Sequence, residues 1–187
     1  MNANDVERRG IELAMQLITR SVSPGSPVID TNDARNRVFL QRAIGDYLIL
    51  HEPTRQWHSL DVKTEAKYTG NLFVESWSNK TANRHARDGW IFTLGSDWLV
   101  MVYLDVRSVF IVDLPKLKNW CVVEGRMLDY REATVHRYQD GEQKNRTTGH
   151  LVPWAVLVET IGFKCYQQQD GEWVKCILPD TRRRESA

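Results

Sequence analysis

No stretch of about 18 consecutive apolar residues occurs in this 187-residue chain, which excludes a transmembrane helix. Met1 to Arg9 is polar and charged, with no apolar segment behind it of the kind a secretory signal needs. The expectation is a soluble cytoplasmic protein with no membrane partner. Cysteine is scarce. Cys121, Cys165 and Cys176 are odd in number, widely spaced and without paired metal-ligand spacing, and they read as reduced cytosolic thiols. Net charge is nearly absent: 25 Lys and Arg against 24 Asp and Glu leave +1 at pH 7, so any basic surface must be local. There is no Walker loop, no GxSxG elbow and no HExxH, and the five histidines show no ligand spacing. What is there is ordinary: 42% hydrophobic and 26% charged residues. A chain of this length buries about 70% of its unfolded surface and needs no disulfide or metal staple. One domain over 1–180 is expected, followed by a basic tail over 181–187 carrying Arg182, Arg183 and Arg184.

Asn4 to Arg20 has the pattern of an amphipathic helix, with Asn4 as cap, Glu7 three residues on, and Ile11, Ala14, Leu17 and Ile18 as its apolar stripe. Ser23-Pro24-Gly25-Ser26-Pro27 ends it. Asp33 to Ala43 reads as a second helix. A dense β region follows: strands over Asp46 to Leu50, Trp57 to Thr64 and Asn71 to Trp77, joined by short turns as a three-stranded meander. Ser78 to Asp88 is a polar loop. Trp98 to Leu104 and Val109 to Leu114 are near-continuous apolar runs, expected as buried strands. Pro115 opens a short helix, Lys116 to Cys121. Val122 to Gly149 is polar strand and loop, Pro153 to Thr160 is read as helix, and Lys164 to Leu178 as a hairpin turning at Asp170-Gly171.

The segment that carries chemistry is Asp46 followed, on the next strand, by Asp61-Val62-Lys63. Alternate strand residues share a face, so Asp61 and Lys63 point the same way. A hairpin centred near Thr54-Arg55 sets Asp46 opposite Lys63 and diagonal to Asp61. A shift of two residues sets Asp46 directly opposite Asp61. In either register all three share a face within about 5–8 Å, whereas a one-residue slip separates them. Two converging carboxylates suit a hard divalent cation, Mg²⁺ with Mn²⁺ as substitute, because such an ion keeps waters and takes a phosphate oxygen. The cation would polarise a scissile phosphate and activate water, and Lys63 would orient that water or stabilise charge developing on phosphorus. The competing reading is a set of solvated strand-end charges. Against it, Leu48, Ile49 and Leu50 follow Asp46, and Leu60 and Val62 flank Asp61, and charges on apolar strands are costly without partners.

Continuing the meander, Glu75 on the third strand falls opposite Asp61, and Phe73 opposite Lys63. Glu75 then serves either the metal site or a salt bridge to Lys63. Lys80, Arg84 and Arg87, with His85 when protonated, concentrate positive charge in the loop after that strand and are candidates for holding a DNA backbone. Most of the seven tryptophans are expected in the core and its rim. Trp77 and Trp90 flank the basic loop and are candidates for stacking on unpaired bases.

Gly45-Asp46 at a strand start, followed by Asp61-Val62-Lys63, resembles the PD-(D/E)xK nuclease superfamily, the restriction-endonuclease-like fold. Gln41-Arg42-Ala43-Ile44-Gly45-Asp46 is similar to the helix-to-strand entry of its members. The runs Thr69 to Asn79 and Gly89-Trp90 to Asp97, with the two apolar strands and Lys116-Leu117-Lys118, are similar to segments of phage and bacterial members. The resemblance spans Asp33 to Trp120. It implies an α/β (α+β) fold with a mixed central sheet flanked by helices, metal acids at Asp46 and Asp61, and the family's lysine at Lys63. A further acid from the first helix maps to Asp33, Glu7 or Glu12. Two departures stand out: the first acid follows glycine rather than proline, and a third strand rather than a long helix follows the DxK strand. The second leaves an alternative alignment with Asp61 and Glu75 as the acids, in which Trp77 takes the lysine position.

The expected function is a Mg²⁺-dependent DNA endonuclease; one that cuts both strands needs two active sites, hence a homodimer. The rivals are a catalytically silent DNA-binding module on that fold and a protein-interaction module whose acids form only surface salt bridges.

Overall fold

The structure, a computed structural model, describes residues 3–31, 45–51, 54–78, 87–139 and 142–183. The second helix expected over Asp33 to Ala43 and the tail beyond 183 lie outside the described residues. Helix α1 spans Ala3–Leu17 and loosens into a π turn over Ile18–Val22. Asn4 lies inside its first turn rather than capping it. The outward face carries an Arg8–Glu12 ion pair at 2.7 Å. The inward face buries Gly10, Leu13, Ala14 and Leu17.

That face lies on a seven-stranded sheet in the order β1 (Val28–Asp30), β2 (Tyr47–His51), β3 (Gln56–Glu65), β6 (Trp98–Tyr103), β7 (Ser108–Asp113), β10 (Lys164–Gln169) and β11 (Glu172–Cys176). All neighbours are antiparallel except β3 and β6, so the sheet is mixed and the architecture α/β. Leu13, Ala14, Leu17 and Ile18 pack against Tyr47, Ile49, Leu60, Val62, Val100 and Val102, every second residue of three adjacent strands. Each large apolar side chain so buried contributes roughly 1.5–3 kcal/mol. On the opposite face Tyr68, Tyr103, Phe110 and Phe163 form an aromatic cluster with ring centroids 5.1–5.9 Å apart. The β10–β11 hairpin turns at Asp170-Gly171, both with positive φ (51° and 89°), as a two-residue hairpin turn of the primed type demands.

The chain divides into two compact units. The sheet just described, with α1, belongs to Met1–Thr69, Gly95–Pro115 and Gly162–Ala187. The second unit, Gly70–Leu94 with Lys116–Ile161, holds a four-stranded antiparallel sheet in the order β5 (Arg87–Asp88), β4 (Asn71–Ser78), β9 (Glu142–Pro153), β8 (Glu132–Gln139). Its short helices are α2 (Trp90–Thr93), α3 (Leu114–Lys118, beginning at the boundary and running into a π turn at Asn119–Val123) and α4 (Trp154–Thr160). Leu72, Val74, Ile91, Val152, Trp154 and Leu157 are buried in it.

The three-stranded meander is not formed. β3 takes β6 as its second neighbour, pairing Asp61 with Leu99 and Lys63 with Met101, while β4 pairs with β9 and sets Glu75 opposite Gly149. The reason lies in the burial patterns. β6 is apolar on consecutive residues and buried on both faces, as a central strand must be. β4 alternates, with Leu72, Val74 and Ser76 inward, as suits a sheet with one dry face.

At Gly10, α1 touches β3 so closely that a Cβ would overlap the hydroxyl and methyl of Thr64. Gly10→Ala is therefore expected to destabilise the protein by about 1–3 kcal/mol, despite alanine's better helix propensity. Urea unfolding checks this; a stabilised variant would mean that the helix can lift off the strand at no cost.

Candidate metal and phosphate site

The site begins with a bend. Gly45 has φ +80°, and a Cβ there would stand 2.7 Å from the Leu60 carbonyl oxygen and 3.0 Å from Asp61 Oδ2. Only glycine fits both the backbone angle and this approach, which accounts for glycine rather than proline ahead of the first acid. Thr31, buried after β1, clamps the bend. Its Oγ1 donates to the carbonyls of Gly45 (2.7 Å) and Asp46 (2.8 Å), and its N–H donates to the latter at 3.0 Å. The Asp46 N–H then donates to the Leu60 carbonyl at 2.8 Å.

This locks the register at Tyr47 opposite Leu60, so the alternation carries Asp46 to the position across from Asp61. That is the second of the two registers open from the sequence. Asp46 Oδ2 accepts the Val62 N–H at 3.0 Å. Asp61 is 3% exposed. Its Oδ1 lies 3.7 Å from Lys63 Nζ, and the lysine side chain is 37% exposed. Asp61 Oδ2 is buried, and no described residue hydrogen-bonds to it.

Burial pushes the Asp61 carboxyl above its ordinary value. Lys63 pulls it down, the Asp46 carboxylate pushes it up again, and the Ser96 hydroxyl pulls weakly downward. The Ser96 hydroxyl also donates to the Trp98 carbonyl at 3.3 Å. On the helix side of β2, the Tyr47 hydroxyl is pushed up to about 12 by burial, then by the charges of Asp30, Asp46 and Glu7. Negative potential therefore gathers at the entry of β2 from three elements.

These facts sort the expected residues. Asp46, Asp61 and Lys63 come together. Glu7 joins the acidic surroundings of Tyr47, while Glu12 is engaged by Arg8 at the surface. Asp33, Lys80, Arg84 and His85 lie outside the described residues. Arg87 is on β5, exposed, paired with Ser78. Glu75 belongs to the four-stranded sheet, so the register that put it across from Asp61 is gone, and with it the basis of the alignment using Glu75 and Trp77. Thr31, Asp30, Tyr47 and Ser96 were not singled out from the sequence. A buried Thr or Ser far along the chain carries no local pattern, and only Asp30, as one more acid, had any signal to offer.

A divalent cation suits this donor set. Two acids stand at facing positions, and one buried carboxylate oxygen has no hydrogen-bond partner among the described residues. Among the described residues no group of three or more His, Cys, Asp or Glu forms a ligand cluster. Two carboxylates are what Mg²⁺ takes when waters and a phosphate supply the rest.

No family model matches the chain, no curated protein is similar to it, and no solved structure matches it.

A raised carboxyl has a definite sign in stability. Between the ordinary value of 3.8 and its raised value, the folded protein binds more protons than the unfolded chain. Stability is therefore lost as pH rises through that window, and the penalty is complete above it. Asp61→Asn removes the charge and is expected to stabilise the metal-free protein at pH 7 by about 1 kcal/mol. The gain should vanish as pH falls below 4. Denaturant titrations of both proteins across pH test this; an equal gain at every pH would show that charge is not the cause.

Proposed function

We propose that the protein is a Mg²⁺-dependent deoxyribonuclease of restriction-endonuclease-like fold, hydrolysing phosphodiester bonds at Asp46, Asp61 and Lys63. The observation that carries this reading is Asp61: a buried carboxylate with one oxygen to which no described residue hydrogen-bonds, an acid at the facing position and a lysine at 3.7 Å. A carboxylate is a costly group to keep in such a place unless a cation completes it. Asp46 and Asp61 hold the ion, with Mn²⁺ as substitute. The ion supplies charge neutralisation at the scissile phosphate. Lys63, partly exposed beside Asp61, can donate to a phosphate oxygen or to the attacking water. The Gly45–Thr31 clamp keeps Asp46 from drifting off the shared face. Cleavage of both strands of a duplex calls for two copies of the chain.

A second reading has its own observation. Asp46 Oδ2 already accepts the Val62 N–H, and Lys63 already faces Asp61. Both contacts suit a silent DNA-binding or protein-interaction module whose charges only brace the β2–β3 pair.

The two readings part on incubation with plasmid and linear single-stranded DNA in Mg²⁺, Mn²⁺ or EDTA. Cleavage should require the metal. Asp61→Ala and Lys63→Ala should each reduce it by roughly 10²–10³-fold. Asp46→Asn keeps an acceptor for Val62 and should fold normally, yet bind Mg²⁺ weakly. Lys63→Ala should bind Mg²⁺ as well as the wild type by calorimetry. Undiminished cleavage by Asp61→Ala would reject the site, and metal binding without cleavage by the wild type would favour the silent module.

Substrate contact is assigned to Lys80, Arg84 and Arg87, since a chain with net charge +1 must concentrate its positive charge. Replacing all three by alanine should flatten the plot of log affinity against log salt by about two to three units on duplex DNA. An unchanged slope would move the contact elsewhere, with Arg182 to Arg184 next in line.

A further inference from the structure

Cys165 and Cys176, eleven positions apart, are directly paired across the β10–β11 hairpin. Their sulfurs stand 3.2 Å apart, within one hydrogen bond. Directly opposed residues on antiparallel strands have Cα atoms about 4.5–5.5 Å apart, inside the range a disulfide spans without backbone movement. The two thiols differ in setting. Cys165 is 1% exposed, on the strand shared with β7, next in its row to Phe110. Cys176 is half-buried, on the edge strand.

We propose that Cys165 and Cys176 form a redox-active dithiol site, in which the accessible Cys176 reacts first with a peroxide and Cys165 resolves it to a reversible cross-strand disulfide.

The asymmetry follows from the shared hydrogen bond. In the neutral pair the Cys176 S–H donates to Cys165; when Cys176 ionises, the more deeply buried Cys165 keeps its proton and can donate to the thiolate. That contact pulls the Cys176 thiol below its ordinary value and, with burial, pushes Cys165 above it. The Tyr68 hydroxyl also senses the pair: burial, then charge on Cys165 and Cys176, together push it up to about 12. Tyr68 therefore stays neutral beside the sulfurs. Cys121 provides an internal contrast. It is fully buried in the second unit, burial pushes its thiol up to about 12, and no other cysteine is left to pair with it.

The chemistry balances with hydrogen peroxide as oxidant. Cys176 gives its proton to solvent, its thiolate attacks one peroxide oxygen, the O–O bond breaks, and the departing hydroxide takes up that proton as water, leaving a sulfenic acid. Cys165 sulfur then attacks the sulfenyl sulfur. The S–S bond forms, the S–O bond breaks, and the Cys165 proton leaves with the hydroxyl as water. In sum two thiols lose two hydrogens and one peroxide becomes two waters. A small dithiol reverses the reaction by exchange.

The test uses the full chain, reduced with dithiothreitol, desalted and exposed to a small excess of hydrogen peroxide. Alkylation under denaturing conditions and intact mass then count the free thiols. The expected result is a monomer that has lost two hydrogens and retains one alkylatable thiol, Cys121. Peptide mapping should link Cys165 to Cys176, and dithiothreitol should restore all three thiols. Cys165→Ser should stop at a Cys176 sulfenic acid that dimedone captures. Cys176→Ser, a change at the half-exposed edge, should form no internal disulfide and consume peroxide at least roughly tenfold more slowly. Three thiols remaining after glutathione at the same concentration has fully oxidised would show a packed thiol pair only. So would a Cys176→Ser protein that consumes peroxide as fast as wild type. Dimedone capture at Cys165 in Cys176→Ser, at the wild-type rate, would overturn the assigned order of attack.

Discussion

Almost everything at the candidate site depends on the register between β2 and β3. Strand side chains alternate with a period of two, so a slip of one residue would turn Asp46 away from Asp61 and expose Tyr47 and Ile49 in the same movement. Two independent constraints hold the register. One is hydrophobic: Tyr47, Ile49, Leu60 and Val62 must all face α1. The other is polar: Thr31 grips the Gly45 and Asp46 carbonyls while the Asp46 N–H meets the Leu60 carbonyl. The same registration that buries the core therefore places the acids, and no separate device is required to bring them together.

The cost of that placement falls on Asp61. A carboxylate flanked by Leu60 and Val62, beside a second carboxylate, opposes folding, and Lys63 offsets it only in part. Two other carboxylates in the same unit are held by hydrogen bonds. Asp97 Oδ2 accepts from both the N–H and the hydroxyl of Ser59, at 2.8 and 3.0 Å. Asp105 Oδ1 accepts the Tyr68 N–H at 2.8 Å where the chain leaves β3. Among the described residues the hydroxyls of Ser23, Ser26, Thr64 and Ser76 are also buried without a partner, but Asp61 Oδ2 is the one carboxylate oxygen in that state, and a charged group bears the larger cost.

Local features were readable in the sequence. α1, the strands through residues 46–50, 57–64, 98–104 and 109–114, and the hairpin at Asp170-Gly171 each carry their signal within a dozen residues. So did the Asp46, Asp61 and Lys63 set, because a single hairpin relates its members. Partnership between distant strands was not readable. Glu75 was assigned to the wrong neighbour because a short turn after β3 looked like one more hairpin, whereas Gly70 instead leads β4 to β9, more than seventy residues further on. Thr31 could not be found for a related reason: its role exists only through Gly45 and Asp46, 14 and 15 residues further on. The cysteine pair was half visible. Its spacing matches no metal motif, and only the register of a hairpin recognised for other reasons makes it a pair.

The parallel contact of β3 with β6 sets an order on how the chain can assemble. The hairpins β2–β3, β6–β7 and β10–β11 close short loops and can form on the microsecond scale. Joining β3 to β6 must wait for a crossover from Glu65 to Trp98, and joining β10 to β7 for one from Asp113 to Lys164. During synthesis from the N-terminus, β7 therefore emerges with its edge open, and it carries Val109, Phe110, Ile111 and Val112 in succession. Until about fifty further residues have appeared, that edge is a template for any extended chain nearby. The final hairpin is thus more than the border of the sheet: it ends the interval in which the nascent protein is most exposed to self-association.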